Sequence, residues 1–106
     1  MKRFNDMNRE LIDLFMNVHS FEMEEAIKLA SLNELLRDEL MLGEVEFSFR
    51  KADGTIRSAR GTMRADRLPE IKGTGRPTNF DLQLYYDLDK QQFRCFKKVN
   101  LLGIKK

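Results

Sequence analysis

The sequence predicts an α+β domain: an N-terminal helical pair packed on a small, strongly bent antiparallel barrel of about five strands. Three observations carry this. Apolar residues recur at helical spacing through residues 4–42, then switch to a period of two from Val45 onward. Asp53-Gly54, a pair that tolerates positive φ, separates two such alternating runs and reads as a hairpin turn. Further short runs follow after one long Gly/Pro-containing loop, a spacing that suits a small barrel. At 106 residues the chain can build one core without staples, so residues 1–43 and 44–106 are expected to form one compact domain.

The first helix is expected over residues 4–18. Phe4, Met7, Leu11, Leu14, Phe15 and Val18 form its apolar stripe, with Asn5 or Asp6 as cap and Glu10 and Asp13 opposite. A break at His19-Ser20 lets Ser20 cap a second helix, whose first turn carries Glu22, Glu24 and Glu25 to complement the helix dipole. That helix runs through Ile27, Leu29, Leu32, Leu35, Leu36 and Leu40 to Gly43, a good C-terminal stop, with Ser31 a point where it could divide. It carries more large apolar side chains than one small barrel end needs. A homodimer through residues 21–42 is therefore one expectation, although such leucine stripes are mostly core.

Val45, Phe47 and Phe49 alternate with Glu46, Ser48 and Arg50, so the first strand has one apolar and one wet face. The return leg, Thr55 to Arg60, is expected to turn Ile56 inward and to end at Gly61-Thr62. Pro69 disfavours a central strand, and residues 69–79 form the long loop. Within it Gly73-Thr74-Gly75-Arg76 lacks the Gly-Lys-Ser/Thr and the strand-to-helix context of a phosphate loop, and reads as a connector. A third strand places Phe80, Leu82, Leu84 and Tyr86 on one side, with Asp81, Gln83, Tyr85 and Asp87 on the other. Leu88 to Gln91 turns the chain. The fourth strand, Gln92 to Lys98, sets Phe93 and Cys95 against Arg94, Phe96 and Lys98. Asn100 to Ile104 is expected to make a short 3₁₀ turn and a last small strand.

Charge is unevenly spread. Residues 1–43 hold five Lys/Arg against nine Asp/Glu, a net of −4, and residues 44–106 hold fourteen against eight, a net of +6. Attraction between the two halves explains this, and so does a polyanion surface on the basic half. Cys95 and His19 are each alone, which excludes a disulfide and a zinc site, and no cofactor is expected. No apolar run is long enough for a membrane span or a secretory leader, so a cytoplasmic location is expected. Carboxylates lie mainly on helix surfaces or in turns, and nothing assembles a nucleophile, base and metal, so no enzyme is expected.

Two segments together, FRKADGTIRSARGT and LYYDLDKQQFRCFKKVNLL, resemble the small phage and bacterial family of WYL-like, Sm-like SH3 β-barrels. In the second, Tyr86-Asp87, Phe93-Arg94-Cys95-Phe96 and Leu101 match the closing hairpin of WYL domains. The chain has no Trp, and the strand matching the naming tripeptide reads Asp81-Leu82-Gln83. The resemblance covers about residues 44–104 and implies an SH3-like barrel without enzyme activity. For WYL domains it implies regulatory binding of nucleic acid or nucleotide-like ligands.

The residues themselves point the same way. Arg50, Arg57, Arg60, Arg64, Arg67, Arg76, Arg94, Lys97 and Lys98 lie mostly within or beside strands, and guanidinium groups bind phosphate bidentately. Tyr85 and Phe96, placed on the outward parity, would offer stacking surfaces to bases. The expected site is Arg57, Arg94, Phe96, Lys97, Arg50 and Tyr85, with single-stranded nucleic acid or a nucleotide as partner. The competing explanation pairs Arg50, Arg57 and Arg94 with Glu46, Asp81 or Asp87, each pair worth little. The alternative function is a phage-type adaptor or inhibitor that meets a host protein through the acidic helices.

Overall fold

The computed structural model describes residues 6–69 and 80–105. Two helices, α1 (Asp6–Asn17) and α2 (Met23–Leu42), precede five strands. These are β1 (Val45–Arg50), β2 (Ile56–Thr62), β3 (Leu82–Asp87), β4 (Gln92–Lys97) and β5 (Leu101–Lys105). Single 3₁₀ turns lie at Ala65–Arg67 and Lys98–Asn100. The expected cap at Asn5 and the loop segment from residue 70 to 79, with Gly73 to Arg76, lie outside the described residues.

The helices differ from expectation at their joint. Glu22, not Ser20, is the N-cap of α2. Ser20 instead takes a left-handed φ of 62°, and the Phe21 N–H donates to the Phe15 carbonyl at 2.9 Å. Ser20 is thus used to reverse the chain and is too far back to cap. Glu24 and Glu25 do occupy the first turn. Ser31 does not divide α2, because its flanking residues stay anchored: Ala26 and Ala30 pack with Leu11 and Phe15, and Leu36 and Leu40 enter the strand core.

The strands form one antiparallel sheet in the order β4-β3-β2-β1-β5. Among the described residues no pairing joins β4 to β5, so the sheet is bent but not hydrogen-bonded shut into a barrel. Its inner face holds an aromatic cluster. Phe49 and Phe96 stack at 4.8 Å, and Phe47 meets Tyr85 edge-on at 5.0 Å. α2 closes one end, where the Leu40 carbonyl accepts the Met63 N–H at 2.8 Å and the Thr62 hydroxyl at 3.3 Å. Asn33 on the same helix donates Nδ2 to the Lys98 carbonyl at 3.1 Å and fastens the β4–β5 link. No helix among the described residues is long and apolar enough to cross a membrane.

Two parities are reversed from expectation. Ile56 is 63% exposed, because register pairs Phe49 with Arg57 and Phe47 with Ala59, so the odd positions of β2 share the inner face. On β3 and β4 it is Tyr85, Asp87 and Phe96 that are buried, while Leu82, Leu84, Tyr86 and Phe93 are only half-buried. Both faces of these strands carry apolar residues, so alternation alone does not choose between them. The choice is made at Gly61, which pairs with Asp87. A Cβ there would lie 2.8 Å from Tyr85 Cδ2, so its absence opens the space into which the Tyr85 ring packs.

Candidate anion-binding pocket

At the far end of β1 and β2 from α2 the inner face opens. The turn between these strands is closed by Asp53, whose Oδ1 accepts the Thr55 N–H at 3.0 Å and the Thr55 hydroxyl at 2.7 Å. The hydroxyl bond is the larger reason that the Asp53 carboxyl is held below its usual range. Gly54 supplies the positive φ, 93°, that the turn requires. Asp53 is thereby engaged in its own turn.

A pocket of about 580 Å³ lies between this turn and the β3–β4 hairpin. Phe49, Leu82, Tyr85 and Phe96 supply its apolar wall, and Arg50, Lys51, Arg57, Arg94 and Lys97 supply five cations. Among the described residues no carboxylate lines it. All six residues expected from sequence, Arg50, Arg57, Tyr85, Arg94, Phe96 and Lys97, line this one pocket. Their roles differ from expectation in two cases. Tyr85 is 0% and Phe96 5% exposed, so neither offers a free stacking face; both are core residues whose edges form the wall.

Arg57 and Arg94 reach the pocket from the inner face, Arg57 opposite Phe49 and Arg94 opposite Tyr85. Arg57 is held by Asp87, which is only 2% exposed, with Nη2 3.5 Å from Oδ2. The other oxygen of Asp87 accepts the N–H groups of Asp89 and Lys90 at 3.0 Å each, which fixes the carboxylate in the β3–β4 turn. So the pairing expected for Arg57 is present. None of the ion pairs among the described residues involves Arg50, Arg94 or Lys97.

Two donors here are buried without an acceptor, Arg57 Nε–H and the Tyr85 O–H, while the Arg94 guanidinium donates toward the phenol oxygen. Burial, reinforced by the Asp87 carboxylate, pushes the Tyr85 phenol above its usual value, while Arg57 and Arg94 oppose the shift. The hydroxyl therefore stays protonated at neutral pH and lies within the field of both guanidiniums.

Arg60, Arg64, Arg67 and Lys98, also basic and within or beside strands, are otherwise employed. Arg60 pairs with Glu44 and Asp89, Arg67 reaches Glu44 at 2.6 Å, and Arg64 reaches Asp66 at 3.0 Å. The bond from Arg67 is the main reason Glu44 is held below the usual carboxylate range. Lys98 is buried with Nζ 4.2 Å over the Phe80 ring, and burial lowers its pKa, with Arg37 adding to the effect. Arg76 lies outside the described residues. Lys51, Cys95 and Asn100 also line the pocket and were not expected there. Lys51 was legible beside the Asp53-Gly54 turn, whereas Asn100 enters only through the 3₁₀ turn joining β4 to β5.

Comparison with known proteins places these residues in context. A family model described as WYL_2, Sm-like SH3 beta-barrel fold, matches residues 33–102, a range that includes every pocket residue. A relative from Enterobacteria phage T4, described as the uncharacterized 11.5 kDa protein in the Gp31-cd intergenic region, is 30% identical over 80 residues. That alignment covers 70% of this chain and 78% of the relative. No solved structure matches the chain significantly.

Proposed function

The chain belongs to the WYL_2 family of Sm-like SH3 beta-barrel fold, and from that premise we propose that it is a non-catalytic, regulatory binding module for single-stranded nucleic acid or a nucleotide. The bent sheet acts as an open barrel, with its ligand seated at the end left uncovered by α2. One observation carries this: five basic residues, of which Arg57 alone has a carboxylate partner among the described residues, line one pocket with an apolar wall. Cations so gathered repel one another, and an anion relieves that repulsion. Arg50 and Arg94, with no ion pair among the described residues, are free to take phosphate oxygens in bidentate fashion. The base then rests against Leu82 and the edges of Phe49 and Phe96, without a full stacking platform.

Arg94→Ala tests the proposal. Titrated against a single-stranded oligothymidylate, the folded variant is expected to bind about ten- to a hundredfold more weakly, since one or two charge-assisted hydrogen bonds are removed. Its log–log salt dependence should also be shallower by about 0.7 for each phosphate that Arg94 neutralises. Equal affinity and equal slope in a variant with an unchanged melting curve would overturn it. Protein contact through α2 would then lead, favoured by the exposed Met23, Ile27, Leu35, Met41 and Leu42. Those side chains suit either a second copy meeting residues 21–42 or an adaptor contact with another protein.

A further inference from the structure

From the pocket wall we infer that the site takes a terminal phosphate, a phosphomonoester, with its oxygens drawn in between Arg57, Arg94 and the Tyr85 hydroxyl. This rests on the anion-binding reading of the pocket and specifies which anion. Two buried donors on pocket-lining residues, Arg57 Nε–H and the Tyr85 O–H, have no acceptor within the protein. Buried donors without partners are rare and costly, and a ligand that completes them explains their retention. Both are hydrogen-bond donors, since the phenol is kept protonated and the guanidinium is always charged. An acceptor-only group satisfies both at once.

The position of these donors decides between phosphate types. Both are buried within the wall, the Tyr85 ring lying 6.4 Å from Phe49 and 6.1 Å from Phe96. An internal phosphodiester must send chain away in two directions and offers two unbridged oxygens with one negative charge. A terminal monoester leaves by one bond only, and brings three acceptor oxygens and a charge of about −1.5 to −2 at neutral pH. It can therefore reach these buried donors with its free end, Arg57 and Arg94 being drawn onto it and the hydroxyl uncovered. Asp87 holds Arg57 in place from behind without entering the pocket. The same chemistry is presented by a free mononucleotide and by the phosphorylated end of a strand.

The test compares four probes on the intact chain: thymidine, thymidine monophosphate, and an oligothymidylate with either a phosphate or a hydroxyl at its 5′ end. The phosphorylated member of each pair is expected to bind at least about tenfold more tightly. Tyr85→Phe, which removes only the hydroxyl and keeps the ring against Gly61, should melt close to wild type and lose most of that preference. If only the strand end responds, the ligand is a processed strand; if the mononucleotide responds equally, it is a free nucleotide. Equal binding of the phosphate and hydroxyl ends would overturn the terminal-phosphate inference while the pocket reading stood. Binding of none of the four would remove both. Full preference retained in Tyr85→Phe would remove the hydroxyl from the site.

Discussion

Replacing Phe96 by alanine is expected to remove about 3–5 kcal/mol of folding free energy, the usual cost of deleting a buried aromatic ring. Phe96 stacks on Phe49 and lies 5.5 Å from the Phe47 ring and 6.1 Å from Tyr85, so its loss leaves a void among three other rings. For a domain of this size that is a large share of a total stability of about 5–15 kcal/mol. Chemical denaturation measures it directly. Had the ring been an exposed stacking surface, the same change would have cost about 1–3 kcal/mol of binding and little stability. The two cases separate with Phe96→Leu, which retains most of the apolar volume. It should recover much of the stability and bind as wild type does. A Phe96→Ala protein within about 1 kcal/mol of wild type would contradict the core placement.

Asp87→Ala is expected to cost a comparable amount, about 3–5 kcal/mol, because it strands a partly buried Arg57 without its counter-charge. It also unmakes the two 3.0 Å bonds that shape the β3–β4 turn. Asp87→Asn keeps an oxygen for those N–H groups and removes only the charge, so its loss should be smaller, about 1–3 kcal/mol. The difference between the two variants isolates the turn from the ion pair. Binding supplies a second readout. With Asp87 gone, Arg57 is no longer held toward the pocket, and affinity for a phosphorylated probe should fall even where the variant remains folded. An Asp87→Ala protein as stable as wild type would show that the carboxylate neither orders the turn nor holds Arg57.

Much of this architecture was legible in the residues. Val45, Phe47 and Phe49 alternate cleanly with polar neighbours, and all three are buried. Asp53-Gly54 lies in the turn that joins β1 to β2, and the five strands fall where the short runs lie. The resemblance carried by Tyr86-Asp87 and Phe93 to Phe96 agrees with the family match over residues 33–102. What the residues concealed has a common physical origin. On β3 and β4 the apolar side chains occupy both parities, so facing was decided by the register with β2 and by the missing Cβ of Gly61. Ile56 was misplaced because its partner across the turn, Arg50, belongs to the wet face of β1. Arg57, Arg94 and Phe96 share a face whichever way that face points, so they border one pocket despite the reversal. Asn100 was missed because its position depends on how β4 is joined to β5, a long-range property with no local signal.

Cys95 offers the most direct measurement of whether the pocket is where ligand binds. It is the chain's sole cysteine, it is exposed, and it lines the pocket beside Arg94 and Phe96. Its rate of alkylation by a small neutral thiol reagent can be followed while an oligothymidylate or thymidine monophosphate is titrated in. If the ligand occupies the pocket, the rate should fall in proportion to occupancy, with the same midpoint as the binding curve. Binding that saturates while Cys95 reacts at an unchanged rate would place the ligand elsewhere and contradict the assignment of this pocket.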